Sequence, residues 1–298
     1  MKHLLKLKGM PRRAMEEILA SAEAVKAKRG GGETKPLDGQ TWAMVFTKSS
    51  TRTRVSFEVG IRELGGAVMF LNANDLQLGR GEPIKDTARV LGRMVHGAVI
   101  RTYAQADVEE FAEYSGIPTI NALTDDEHPC QILTDIFTFQ ERRGPIRGKV
   151  VTYIGDGACN VPVSWVHAAA ALDFELRIAA PAEFQPSAET LAKAGGHIVC
   201  TEDVRSAVEG ADMVYTDVWV SMGMEAEAEA RLAKLAGYQI NGGLMCLAKP
   251  DALVMHCLPA YRGKEIDAET FEAHADTIFT QAENRLHTQK AILAWLAG

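Results

Sequence analysis

Short apolar runs of strand length alternate along this chain with stretches whose apolar residues recur at helical spacing. In the first half the strand-like runs are residues 41–46, 67–71, 98–103 and 118–122, with helical patterns such as 84–95 and 108–114 between them. In the second half they are 149–154, 175–179, 197–200, 213–217, 253–257 and 278–280, separated by helical patterns such as 164–172, 188–194 and 225–236. Strands alternating with helices predict parallel sheets built from βαβ units. A break falls at Arg142-Arg143-Gly144-Pro145-Ile146-Arg147-Gly148, after a helical stretch at 131–140 and before a fresh strand. The expected fold class is therefore α/β, with two doubly wound domains of parallel sheet, residues 1–143 and 144–283. The last helix, 284–298, is expected to pack back on the first domain. Residues 26–35, basic and Gly-rich, read as a mobile loop.

The chain's 298 residues suit two domains, and 47% hydrophobic content supplies two cores. Net charge is −7, from 32 basic and 39 acidic residues, which argues against a surface that coats nucleic acid. No apolar run reaches membrane-spanning length, and the N-terminus has no apolar signal core, so no membrane is expected. Cys130, Cys159, Cys200, Cys246 and Cys257 are odd in number and fit neither a zinc ribbon nor a disulfide framework. They read as reduced thiols of a cytoplasmic protein.

The candidate chemistry begins at Lys48-Ser49-Ser50-Thr51-Arg52-Thr53-Arg54, which follows the first strand and opens a helix. A helix N-terminus presents unpaired N–H groups and a positive dipole end. Hydroxyls and guanidinium groups are added there, and a guanidinium holds a phosphate through two parallel bonds. The plainer reading is a helix cap beside two solvated arginines.

Doubly wound sheets bind ligands beyond the carboxyl ends of their strands. Polar clusters fall at those ends: Arg101-Thr102-Tyr103, His128-Pro129-Cys130-Gln131, Gly155-Asp156-Gly157-Ala158-Cys159-Asn160, Asp217 with the residues after it, His256-Cys257-Leu258-Pro259, and Gln281-Ala282-Glu283-Asn284-Arg285. Six clusters over two domains suggest one interdomain cleft. Each has a plainer reading as well. Asp156 or Asp217 could cap the next helix, and His128, His256 and Cys257 could be core residues. Gly155-Asp156-Gly157 lacks the three-glycine spacing of a dinucleotide fingerprint.

Five segments resemble the signatures of the ornithine carbamoyltransferase family: Ser50-Thr51-Arg52-Thr53, His128-Pro129-Cys130-Gln131, Asp217-Val218-Trp219-Val220-Ser221-Met222-Gly223, His256-Cys257-Leu258-Pro259 and Glu283-Asn284-Arg285-Leu286-His287. Leu78-Gly79-Arg80-Gly81-Glu82 and the following Asp86–Leu91 resemble its intersubunit loop and next helix. The resemblance covers nearly the whole chain in order. The phosphate motif is shared with aspartate carbamoyltransferase, whereas the Ser-Met-Gly and Cys-Leu-Pro segments point to ornithine.

The resemblance implies roles. Ser50, Thr51, Arg52 and Thr53 would hold the phosphate of carbamoyl phosphate. Arg101, His128 and Gln131 would hold its carbamoyl end, with Arg285 and the Cys257–Leu258 backbone closing around it. Asn160, Asp217, Ser221 and Met222 would bind L-ornithine. Gln77, with Arg80, would reach a neighbouring subunit's phosphate in a homotrimer or a multiple of trimers. The family commonly has two adjacent Asn after the glycine turn; here Ala158-Cys159-Asn160 keeps one, which aligns with the substrate-binding Asn.

The chemistry agrees with these roles. Attack of an amine on the carbamoyl carbonyl needs donors for the developing oxyanion, which Arg101, His128 and Thr53 can supply. Arg52 can neutralise the leaving phosphate. Asp217 can orient the amine, and a Cys257 thiolate or the substrate phosphate can take its proton. The reaction calls for no metal and no organic cofactor. Its product would be citrulline, a step of arginine metabolism. The alternatives are a carbamoyltransferase for acylated ornithine, putrescine or aspartate, and a non-catalytic homologue.

Overall fold

The computed structural model describes the whole chain except residues 33, 73–80, 193, 195–196 and 221–224. The sequence-predicted residues Gln77, Arg80, Ser221 and Met222 thus lie outside the described residues. The chain folds as two compact units, Met1–Phe137 with Glu283–Gly298, and Thr138–Ala282.

The first unit opens with α1 (Arg12–Ala27), whose Met15, Ile18, Leu19 and Ala22 form one buried stripe at helical spacing. Then follow β1 (Thr41–Phe46), α2 (Thr51–Glu63), β2 (Ala67–Asn72), α3 (Ile84–Leu91), β3 (Gly97–Arg101), α4 (Gln105–Ser115), β4 (Thr119–Leu123) and α5 (Pro129–Arg143), within which the division between the units falls. All strand pairs are parallel, in the order β2-β1-β3-β4. The central β1 is buried on both faces, which its unbroken apolar run requires, while the edge strand β2 alternates exposed and half-buried positions. Ala43, Val45, Ala98 and Ile100 of the sheet pack with Ala88 and Leu91 of α3 and with Val108 and Phe111 of α4.

The second unit continues with β5 (Val150–Ile154), α6 (Asn160–Leu172), β6 (Glu175–Ala179), α7 (Ala188–Ala192), β7 (Ile198–Thr201), α8 (Val204–Val208), β8 (Met213–Thr216), α9 (Ala228–Leu235), α10 (Gly242–Met245), β9 (Leu253–His256), α11 (Ala268–Ala273) and the first part of α12 (Ala275–Ala297). Its sheet runs β7-β6-β5-β8-β9, again all parallel. Two parallel α/β sheets are the fold class that the alternation predicts. The strand expected at 278–280 is instead part of the 23-residue helix α12. A three-residue run with two apolar members is too short to separate strand from helix, and here Ile278 is buried while Phe279 faces solvent, as a helical register allows. Gln281–Arg285 therefore lies inside a helix rather than at a strand end.

Strand order reverses between β1 and β3 in the first unit and between β5 and β8 in the second. These are the switch points at which open α/β sheets leave a crevice beyond the strand ends. The sheet register fixes what reaches each crevice. Phe46 pairs with Arg101, Ile154 with Thr216, and Thr216 with His256.

Candidate active site

In the first unit, the turn after β1 passes into α2 at Ser50. Its extended backbone makes it the N-cap, and its Oγ accepts from Thr53 N–H at 3.2 Å. The capping reading is thus correct for Ser50, and it leaves the residues beside it to face a ligand. A cavity of about 370 Å³ is lined by Lys48, Ser49, Ser50, Thr51 and Arg54, with Phe46, Phe70 and Asn72. Lys48, absent from the sequence-predicted site residues, is buried there. It pairs with Asp125 and lies 4.1 Å over the Tyr103 ring. Its signal was its place in the basic turn.

Arg101 ends β3 beside this turn, buried, and its carbonyl accepts from Thr47 N–H at 2.9 Å. His128 precedes Pro129, the first residue of α5, and is buried. Burial holds the imidazole well below its ordinary pKa of 6.5, and the charges of Arg285, Arg101 and Arg52 push it the same way. His128 is therefore neutral at physiological pH. It can donate one ring N–H, but it is no cation. Arg285, on α12, donates to Gln131 Oε1 at 2.5 Å and to Thr53 Oγ1 at 3.1 Å. Gln131 in turn donates to Asp135 Oδ1 at 2.9 Å, which turns its carbonyl oxygen toward Arg285. The structure thus brings Arg52, Thr53, Arg101, His128, Gln131 and Arg285 into one cationic cluster, although Arg285 arrives from the other end of the sequence.

The second unit's candidate residues follow the ends of β5, β8 and β9. Asp217 and Cys257 directly follow the paired Thr216 and His256, so the register sets them side by side. Cys257 Sγ donates to Asp217 Oδ1 at 2.8 Å, and Val218 N–H donates to the same oxygen at 2.7 Å. Burial pushes the Asp217 carboxyl above its ordinary pKa of 3.8, against these two bonds. His256 Nδ1 accepts from Leu258 N–H at 2.8 Å, which leaves Nε2 to donate to Glu265 Oε1 at 3.2 Å. Both side chains are fully buried. Glu265, in the loop before α11, was not singled out in the sequence because nothing in its local pattern marks it. Asn160 is the first residue of α6, where N–H groups and the dipole favour an anion. The preceding turn relies on Gly155, whose φ of +131° is strained for any other residue.

Asp217, His256 and Cys257 each present one potential metal-ligand atom within 4.8 Å of the others. Their donor atoms are engaged with one another, with Leu258 and with Glu265, which suits an organic cation better than a metal ion.

The family model for the aspartate/ornithine carbamoyltransferase carbamoyl-P binding domain matches residues 2–141, and that for the Asp/Orn binding domain matches residues 147–296. The chain is 53% identical to the ornithine carbamoyltransferase of Akkermansia muciniphila, over 100% of this chain and 98% of that one. It is 51% identical to that of Methylococcus capsulatus, over 99% and 98%. Among solved structures, ornithine carbamoyltransferase from Pyrococcus furiosus superposes with a TM-score of 0.92 at 44% identity, covering 100% of this chain and 97% of that one. The anabolic ornithine carbamoyltransferase of Campylobacter jejuni gives 0.93 at 42%, covering 99% of each. Paired with an arginine-ringed neutral histidine at one switch point and a carboxylate–thiol pair at the other, this likeness establishes that the chain belongs to the aspartate/ornithine carbamoyltransferase family.

Proposed function

We infer that the protein transfers the carbamoyl group of carbamoyl phosphate to the side-chain amine of L-ornithine, giving L-citrulline and phosphate. The observation that carries this is the convergence of Arg52, Arg101 and Arg285 on a buried, neutral His128. Ser50, Thr51, Arg52 and Thr53 hold the phosphate, with the N-terminus of α2 behind them. Arg101, His128 and Gln131 hold the carbamoyl oxygen, so residues 1–143 serve carbamoyl phosphate and residues 144–283 serve ornithine. Asn160 and Asp217 grip ornithine, together with Ser221 and Met222.

The reaction follows from these roles. Ornithine's side-chain amine is protonated in water and must shed that proton before attack. The buried Asp217 carboxylate, steadied by the Cys257 S–H, receives the cationic amine and orients it. The amine passes its first proton to an oxygen of the substrate phosphate, the neutral nitrogen forms a bond to the carbonyl carbon, and the carbonyl oxygen gains negative charge; the second proton leaves the nitrogen on collapse. Arg101 and the His128 N–H stabilise that charge. Collapse breaks the bond to phosphate, whose charge Arg52 neutralises and whose oxygens can accept the amine proton. A His128 cation is not needed, since arginines already provide the positive field.

Three finer points belong to the same reading. The likeness to an enzyme named anabolic supports the biosynthetic direction, toward arginine. The odd number of cysteines, five, supports a reducing, cytoplasmic setting. The resemblance around Leu78–Glu82 supports a homotrimer in which Gln77 serves a neighbour's phosphate. A citrulline assay on purified protein tests the core reading, with N-acetylornithine, putrescine and aspartate as competing acceptors. Citrulline formation with at least about tenfold preference for ornithine is expected; preference for another acceptor would replace the substrate.

A further inference from the structure

We propose that Arg231 is a positioning residue for the amino-acid substrate: it fixes the separation between the turn that leads into Asn160 and the segment that carries Asp217. This rests on the reading that Asn160 and Asp217 hold one ornithine at two places.

The sheet alone does not set that separation. The β5–β8 ladder ends at Ile154 and Thr216, with Thr216 Oγ1 donating to the Ile154 carbonyl at 2.7 Å. Beyond it the two chains diverge around the switch point, and the proposed ligand groups lie past that end. Arg231, on α9, closes the gap from the side. One guanidinium nitrogen pairs with the Asp156 carboxylate, and Nε donates to the Trp219 carbonyl at 2.9 Å. Asp156 Oδ1 also accepts from Ala158 N–H at 3.0 Å, so the carboxylate that Arg231 grips is the frame of the turn before Asn160. Trp219 lies two residues after Asp217, and its indole rests against Gly155, where a β-carbon would come within 3.5 Å of the ring. The indole Nε1 has no hydrogen-bond partner among the described residues, so packing and the Arg231 bond to its carbonyl hold Trp219.

Arg231 and Asp156 are only 7% and 4% exposed, and the Phe184 ring lies 4.7 Å from the guanidinium carbon. The remaining neighbour is Glu227, exposed and 3.8 Å from Nη1. Arginine suits this place because its donors leave a rigid plane in fixed directions, whereas a lysine reaches one partner at a time. Two groups that grip one substrate must keep their spacing, and a misplacement of about 1 Å can cost about 100-fold in rate. Arg231 touches neither proposed ligand group. It acts through the two segments that bear them, and so it also bears on which chain length of diamino acid fits.

The test uses the full-length protein and three variants, Arg231→Lys, Arg231→Met and Asp156→Asn/Arg231→Met. The last leaves no lone buried charge, so it carries the test if Arg231→Met does not fold, and only variants with a cooperative melt are assayed. For each, kcat and KM are measured with ornithine, 2,4-diaminobutyrate and lysine, and the Kd for carbamoyl phosphate by calorimetry. The expected result is a rise of at least about tenfold in ornithine KM and a fall of about tenfold in the preference for ornithine over its two homologues. Carbamoyl phosphate Kd should stay within about twofold, and the double variant should regain thermal stability without regaining the preference. A double variant with full ornithine preference, or single variants that lose carbamoyl phosphate and ornithine binding alike, would overturn the proposal. So would an Arg231→Lys enzyme with wild-type preference while Asn160→Ala and Asp217→Asn remain crippled. If instead Asn160→Ala and Asp217→Asn keep the wild-type ornithine KM, the ornithine reading itself falls, and the role of Arg231 with it.

Discussion

At the scale of single residues, charge placement decides the chemistry. Three guanidinium groups around His128 give a site that attracts phosphate without titrating near neutrality. Arg52→Ala should therefore lower turnover by about 10²–10³-fold, the cost of losing one preorganised donor to developing charge. A loss below several-fold in folded protein would return Arg52 to the role of a solvated arginine. The neighbouring Glu127 behaves differently. Its carboxylate accepts from the Leu7 N–H at 2.5 Å and the Lys8 N–H at 3.3 Å, tying the N-terminal segment to the turn that bears His128. Burial pushes its pKa from 4.5 up to about 7, against those two bonds and the charges of Lys6 and Lys8. The folded state then binds more protons than the unfolded chain between pH 4.5 and about 7. Stability from this group is full below pH 4.5 and is lost as pH rises through 7, by up to ~3 kcal/mol. Urea melts of wild type and Glu127→Gln, taken from pH 5 to 8, should show the wild type's advantage shrinking as pH rises. An advantage that grows with pH would mean that the two N–H bonds outweigh burial.

At the scale of elements, α12 and α2 are fastened by a charge pair. Lys290 is fully buried, and its Nζ meets Glu63 Oε2 at 2.7 Å. Gly60 makes room for the lysine stem, since a β-carbon there would come within 3.1 Å of Lys290 Cγ. The same two helices carry Arg285 and Thr53, so the pair sets how Arg285 meets the phosphate turn. Lys290→Ala should cost about 2 kcal/mol in urea denaturation, through the lost stem packing and the lost charge pair, with Glu63 keeping Arg29 at 3.1 Å; Lys290→Met, which keeps the stem, should recover part of that. A Lys290→Met variant as weak as Lys290→Ala would mean that charge, not stem packing, is what α12 needs. Elements of this kind mark what was legible in the sequence. Central strands stand out because in a parallel sheet they are apolar on both faces, and β1 and β6 fall on the expected residues. Residues 278–280 misled because Ile278-Phe279-Thr280 is too short a run to carry a periodicity. Asp217 and Cys257 were readable as strand-end groups, whereas Glu265, Asp135 and Arg231 were not. Arg231 pairs with Asp156, 75 positions away, which only folding supplies; Asp135 lies one helical turn from Gln131 and Glu265 one loop from His256, and a single carboxylate in a helix or loop carries no periodic signal.

At the scale of the whole molecule, a net charge of −7 has to coexist with an anionic substrate. Attraction must therefore be local, and in the first unit Arg52, Arg101 and Arg285 act together on the buried His128. The same unit exposes Val55, Met69, Val90 and Met94, which a solitary chain would leave in water. Self-association through this unit is the reading we advance, with Gln77 and Arg80 completing a neighbour's phosphate site. Head-to-tail contacts that close make rings, and in a ring every site joins two copies. Mixing subunits tests this. Gln77→Ala/Arg80→Ala protein should be inactive, because each site receives a damaged loop, and Arg101→Ala protein should be inactive, because each site lacks its own carbamoyl donor. After subunit exchange at equal amounts, roughly a quarter of the sites would combine an intact Arg101 with an intact loop from the neighbour. Citrulline formation should return to about that fraction of wild type. Sedimentation should show the mixed species at three times the chain mass. Exchange proven by mass without any return of activity would mean that each chain builds its phosphate site alone.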